Sequence, residues 1–132
     1  MSDATLSVTL LYAGINTLIL LVLAALTVRT RVTTKTDIGT GDNEAMTKAA
    51  RAHGNAAEYV PLAVVVIGAL ELTGAPAGLL HGLGATLTIG RLLHAQGIYS
   101  SLGTSPGRFL GTVLTWLVYL VGGGACLYYA LA

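Results

Sequence analysis

ATLSVTLLYAGINTLILLVLAALTV, residues 4–28, is a run of 25 residues without a single charge. A helix of that length rises about 37 Å at ~1.5 Å per residue, more than the ~30 Å hydrocarbon core of a bilayer. The residues before it, Met1-Ser2-Asp3, carry no basic cluster, and no A-x-A cleavage site follows, so the run reads as an uncleaved first span. The rest of the chain agrees. Of 132 residues, 54% are apolar and 10% charged, against roughly 25% charged in soluble domains. Mean hydropathy is +0.74. This composition excludes a soluble enzyme, a disordered chain and a nucleic-acid binder with a basic face; it describes a small polytopic membrane protein. Cys126 is the only cysteine, so an intrachain disulfide and a cysteine-cluster metal site are excluded.

Polar segments divide the remainder. Thr33–Glu44 is rich in Thr, Gly and Asp and forms the first loop. Only 12 uncharged residues lie between Glu58 and Glu71, too few to cross. The second span must therefore begin nearer Met46 and carry Glu58, and Arg51 with it, into or near the membrane. Leu72–Ala77 makes a turn and YSSLGTSPG, residues 99–107, a second one. The expected fold is all-α: an integral membrane four-helix bundle forming one domain over residues 1–132, with spans at about 4–28, 46–71, 78–98 and 108–131. Every Lys and Arg (Arg29, Arg31, Lys35, Lys48, Arg51, Arg91, Arg108) lies in or beside the first or third connection. The positive-inside rule puts those two loops in the cytoplasm and both termini outside. Glycines on span three, Gly107-x-x-x-Gly111 and Gly122–Gly124 allow close helix contact, which favours association between copies.

An ionisable group at bilayer depth costs roughly 2.5–3.5 kcal/mol on insertion scales, so each one requires a reason. Arg51, Asn55 and Glu58 are spaced i, i+4, i+7 and share one face of span two. Pro61 cannot donate to the Ala57 carbonyl, freeing it beside Glu58. Arg91 and His94 share a face of span three that Ile98 continues. Arg29 and Arg31 end span one; Arg108 opens span four. Arg31 and Lys35 read as headgroup contacts, while Glu58 with Arg91 reads equally as a structural buried ion pair or as part of a ligand site. Asn16, mid-span, reads as an interhelical hydrogen-bond donor or acceptor. If the helices bundle, several guanidinium groups converge on one carboxylate at one depth. A purely structural cluster would tend to neutrality; this surplus suits a small ligand with two carboxylates and one amine, and glutathione has both, with a thiol. A proton relay through Glu58, Arg91 and His94 is disfavoured, because arginine does not titrate at working pH.

With those residues in place, Arg51-Ala-His53-x-Asn55-x-x-Glu58 followed by Pro61 resembles the helix-two motif of the MAPEG family (membrane-associated proteins in eicosanoid and glutathione metabolism), and the chain is most similar to its small bacterial inner-membrane branch. Val28-Arg29-x-Arg31, Gly90-Arg91-x-x-His94 and Pro106-x-Arg108 extend the resemblance to residues 5–130. It implies a homotrimer with glutathione as co-substrate, bound between neighbouring subunits near the cytoplasmic face, without a metal. Arg29 would hold a glutathione carboxylate. Arg51, Asn55 and Glu58 would hold the peptide, with Arg91 and His94 completing the wall. Arg108 matches the arginine beside the thiol sulfur in catalytic members. The implied activity is a glutathione transferase or peroxidase acting on lipophilic electrophiles, with detoxification as its setting and an inner membrane as its location. The alternative is a non-catalytic lipid- or thiol-binding scaffold of the same family. Gly54, Ile98, Phe109 and Thr112 replace an arginine, a tyrosine, a serine and a tyrosine found in various members, which removes hydroxyls used in prostaglandin and leukotriene chemistry. One charge at ~4 Å and an effective dielectric near 20 is worth roughly 4 kcal/mol. Lowering a thiol pKa from ~8.5 by about two units needs roughly 2.7 kcal/mol, so one arginine is enough to populate the nucleophilic thiolate.

Overall fold

The computed structural model describes residues 5–132. They form four helices: α1 (Ser7–Thr34), α2 (Glu44–Leu72), α3 (Ala77–Ser100) and α4 (Pro106–Leu131). The start expected for the first span, Ala4, lies outside the described residues, as do Met1–Asp3. The helices exceed the expected spans mainly at the basic ends, where α1 continues past Arg29 and Arg31 to Thr34 and α2 begins at Glu44. Snorkelling residues that are charged are still helical, so a count of uncharged residues underestimates helix length.

The boundaries follow local chemistry. Lys35 closes α1 in the left-handed conformation (φ 53°) and donates its N–H to Arg31 and Val32 carbonyls. Asn43 Oδ1 accepts the Met46 N–H at 3.0 Å and starts α2. Gly74, at φ +77°, makes the α2–α3 turn that an L side chain would strain. Ser105 Oγ accepts the Arg108 N–H at 3.3 Å ahead of α4, whose first residue is Pro106. Helix α2 runs uninterrupted through Pro61.

Helices α1, α2 and α4 are each long and apolar enough to cross a membrane. The bundle is an integral membrane one, and α3 is its exception in composition: long enough to cross, but carrying His81, Arg91, His94 and Gln96. The packing explains how it is accommodated. Helix α3 touches all three other helices, whereas α1 and α4 make no contact with each other among the described residues. Its inner face buries Leu80, Leu83, Leu87, Arg91, His94 and Ile98. One apolar cluster gathers Ala63, Ile67, Leu70, Leu83, Leu87 and Val118. A second, nearer the basic end, gathers Leu23, Ala52, Ala56 and Ile98.

The glycines are used differently from the expectation. Gly90 and Gly97 on α3 face Gly107 and Gly111 on α4 so closely that a Cβ at Gly111 would meet the Gly90 carbonyl and His94 backbone, and one at Gly97 the backbone around Gly107 and Arg108. The Gly107-x-x-x-Gly111 pattern thus serves contact within the subunit. Open space surrounds Gly82, Gly123 and Gly124.

The end of the bundle away from the basic loops has its own polar fastenings. Asn16, fully buried, donates from Nδ2 to Thr88 Oγ1 and to the Tyr12 carbonyl, both at 2.9 Å. Tyr12 Oη lies 3.1 Å from His81 Nδ1. The Glu71 carboxylate accepts the Val8 N–H at 2.9 Å and the Thr9 N–H at 2.7 Å. A side chain at the end of α2 thereby caps the start of α1, which has no cap of its own from Leu6.

Candidate functional site

Near the basic end, α2, α3 and the α3–α4 connection enclose a cleft of about 180 Å³ lined by Thr47, Arg51, Asn55, His94, Ile98, Leu102 and Arg108. Four of the seven residues singled out from the sequence therefore share one space: Arg51 and Asn55 one helical turn apart on α2, His94 on α3, and Arg108 on the first turn of α4. Ile98 continues the His94 face, as the i, i+4 spacing requires.

Arg51 and Glu58 pair at 3.6 Å (Nη1 to Oε1), and their side chains are 55% and 58% exposed. Glu58 does not line the cleft. Among the described residues Arg51 is its only ion-pair partner, so of the two readings left open for Glu58 and Arg91 the buried ion pair is not the one that forms. Arg91 also lies deeper than Arg108. It lies nine residues before the end of α3, about 14 Å along the axis at ~1.5 Å per residue, whereas Arg108 is the third residue of α4. The expected convergence of guanidinium groups on one carboxylate is thus absent within a subunit, because Arg91 is drawn into the bundle interior.

The surroundings of Arg91 show why. It is 1% exposed. Its Nη1 donates to Asn55 Oδ1 at 2.5 Å, and its Nη2 to Thr115 Oγ1 at 2.7 Å and the Gly111 carbonyl at 3.3 Å. Its guanidinium carbon sits 5.4 Å from the centre of the Tyr59 ring. A buried charge is tolerable only when its donors are met, and here neutral acceptors from α2 and α4 and an aromatic face meet them in place of a carboxylate. Nε alone has no partner. The close α3–α4 approach at Gly90 and Gly111 is what brings the Gly111 carbonyl and Thr115 within reach.

Arg108 has an exposed guanidinium whose Nη1 donates to the Leu102 carbonyl at 3.0 Å and, more weakly, to that of Gly103 at 3.5 Å. It also edges a second groove of about 440 Å³ on the outer side of α4, where Phe109, Val113 and Trp116 provide apolar walls. Arg108 therefore divides a donor-rich cleft from an apolar groove. Arg29 is exposed and outside the cleft, and makes no hydrogen bond or ion pair among the described residues. Arg31, read as a headgroup contact, instead turns Nη1 to the Thr36 and Gly39 carbonyls at 3.2 and 3.0 Å and braces the first loop.

Three features escaped the sequence reading. Thr115 and Tyr59, partners of Arg91, carried no motif to mark them. Tyr59 also joins a polar strip between α2 and α4: its hydroxyl accepts from Trp116 Nε1 at 3.1 Å, and its carbonyl accepts the Tyr119 hydroxyl at 2.8 Å. The freed Ala57 carbonyl drew attention to Pro61, but the neighbouring helix donates two residues later. The third feature is the Glu71 cap. Glu71 served only to mark the end of a charge-free run; its position opposite the start of α1 follows from an antiparallel helix pair and could have been drawn from it.

The sequence model of the MAPEG family matches residues 9–128. The inner membrane protein YecN of Escherichia coli, from strain K12 and from an O6:H1 strain, is 34% identical over 114 residues, which cover 86% of this chain and 86% of YecN. No solved structure matches.

Proposed function

This chain belongs to the MAPEG family, and on that premise we propose that it is a membrane-embedded glutathione-binding protein that works as a glutathione transferase or peroxidase on lipophilic electrophiles. The single observation that carries the reading is the cleft in which Arg51, Asn55 and Arg108 meet without a carboxylate among the lining residues. Such a donor-rich space suits a ligand with carboxylates and peptide carbonyls. Arg108, at the boundary of cleft and apolar groove, suits the stabilisation of a thiolate with an electrophile approaching from the lipid side. The exposed Arg29, Arg51 and Glu58 are the groups that a neighbouring copy would cover in the homotrimer that family membership implies. The gathering of the basic residues at two loops supports a cytoplasmic position for those loops, and with it a site near that face of an inner membrane.

In the proposed reaction with a chlorodinitrobenzene acceptor, the thiol releases its proton to solvent, the thiolate sulfur forms a bond to the ring carbon, and chloride leaves with the bonding pair. Purified protein in detergent or lipid should conjugate glutathione to this acceptor, and Arg108→Ala should slow conjugation at neutral pH at least about tenfold, the loss expected from about 1.4 kcal/mol of thiolate stabilisation. An unchanged rate in that variant removes Arg108 from the chemistry.

The engagement of Arg108 favours a second reading, a non-catalytic binder of a lipid or thiol metabolite. The Arg108 Nη1 is already engaged by the Leu102 and Gly103 carbonyls, and Phe109 and Thr112 offer no phenolic partner to a sulfur. Glutathione binding without turnover over a broad panel of electrophiles would establish that reading instead.

A further inference from the structure

Arg91 touches the cleft only through another side chain, and that side chain is an amide with two different ends. Asn55 Oδ1 accepts from Arg91 Nη1 at 2.5 Å. A guanidinium has five donors and no acceptor, so the opposite orientation of the amide would set an NH2 group against a buried cation. The interaction therefore selects one of two rotamers that differ little in shape. Arg91 is itself immobilised by Thr115 and the Gly111 carbonyl on α4, and is 1% exposed. Asn55, half-buried, lines the cleft, and its Nδ2 makes no hydrogen bond among the described residues. Asn16 provides a contrast within the same chain: its Nδ2 is occupied by Thr88 and Tyr12, and its Oδ1 has no partner.

We propose that Arg91 is a positioning residue for the cleft: by holding Asn55 Oδ1 it fixes the Asn55 NH2 as a donor directed into the cleft, so that the ligand atom met there is an acceptor, a carboxylate or peptide carbonyl oxygen, and never an N–H. With Arg51 and Arg108 alongside, the recognised fragment is an anionic one with carbonyl oxygen at two or more points. This deepens the glutathione reading and rests on it for the identity of the ligand; the orientation of the amide does not depend on it.

Two measurements on the full-length, lipid- or detergent-embedded protein separate these. The first needs no ligand. The chain has three asparagines, Asn16, Asn43 and Asn55, so selective 15N-asparagine labelling gives three side-chain NH2 signals, with Asn55 assigned by its loss in Asn55→Ala. The Asn55 protons should exchange readily with water, those of Asn16 should be protected, and Arg91→Met should shift the Asn55 signal. Protection of Asn55 equal to that of Asn16, or an Asn55 signal unmoved by Arg91→Met, overturns the proposal. The second is a double-mutant cycle on glutathione binding. Asn55→Ala and Arg91→Met should each weaken binding about five- to tenfold, as loss of one hydrogen bond allows, and Arg91→Met should have no further effect in the Asn55→Ala background. Arg91→Lys should recover part of the loss, and takes the place of Arg91→Met should that variant fail to fold. Equal weakening by Arg91→Met in both backgrounds means that Arg91 acts on the fold at large and overturns the proposal. A wild-type protein that binds no glutathione but gives the expected 15N result sinks the glutathione reading and leaves the Arg91–Asn55 assignment standing.

Discussion

Glu71, one residue before the end of α2, receives the backbone N–H of Thr9 on α1 at 2.7 Å and with its other oxygen that of Val8. Two helices adjacent in sequence are thus locked at the ends farthest from their connecting loop. The carboxylate meets donors that have no partner inside α1 and sits at the positive end of that helix dipole.

Glu71→Gln keeps the shape and one acceptor but loses the charge. It should cost about 1 kcal/mol, the usual worth of a charged cap, seen as a lower thermal midpoint in detergent. The sharper measurement is amide exchange: Val8 and Thr9 should lose protection in the variant while the middle of α1 keeps it. Uniform loss along α1 would mean that the cap is not a local fastening.

Gly111→Ala should be among the most damaging single-methyl additions in the chain. A Cβ there meets the Gly90 carbonyl and the His94 backbone, neither of which has a flexible end to move aside. Overpacking of this kind costs about 1–3 kcal/mol, and separation of α3 from α4 would also loosen the Gly111 and Thr115 contacts to Arg91. Gly123→Ala, in open space on the same helix, should be neutral or slightly stabilising, by up to about 1 kcal/mol from helix propensity. Parallel unfolding titrations of the two variants check the contrast; equal effects would refute the close α3–α4 approach.

Tyr59→Phe should be visible in fluorescence, because Trp116 is the only tryptophan in the chain. Its indole N–H donates to the Tyr59 hydroxyl at 3.1 Å. Removing that acceptor should shift the emission maximum, and should destabilise the protein by about 0.6 kcal/mol, the average for hydrogen bonds between membrane helices. Tyr119→Phe removes the bond to the Tyr59 carbonyl instead, and should lower stability by a similar amount with a smaller spectral change.

The helices were legible in the sequence because membrane spans are written in composition: charge-free runs mark the first and last, and the polar turns bound the two between them, which carry charges. The cleft was legible in part because i, i+4 and i+7 spacing puts Arg51, Asn55 and Glu58 on one face whatever they pack against. Arg91 shows where such reasoning stops. Its spacing to His94 was correct, but spacing along one helix says nothing about what the facing helix presents, and the glycines that draw α3 against α4 put the Gly111 carbonyl and Thr115 within reach of its guanidinium. Thr115 and Tyr59 were invisible for the same reason: a hydroxyl that accepts from a buried cation looks like any other hydroxyl until the facing helix is in place. The direction of Arg31 was missed because the loop it braces has no periodicity to read.

The central position of α3 bears on how the chain reaches its folded state in a bilayer. This helix has too many polar groups to partition strongly on its own, yet those groups are shielded once α2 and α4 flank it. Its entry into lipid must therefore be cooperative with its neighbours, and a chain truncated after Ser100 would hold α3 in the membrane less firmly than the complete protein, with the guanidinium of Arg91 deprived of Gly111 and Thr115. Biogenesis of the protein is in that sense decided by its last helix.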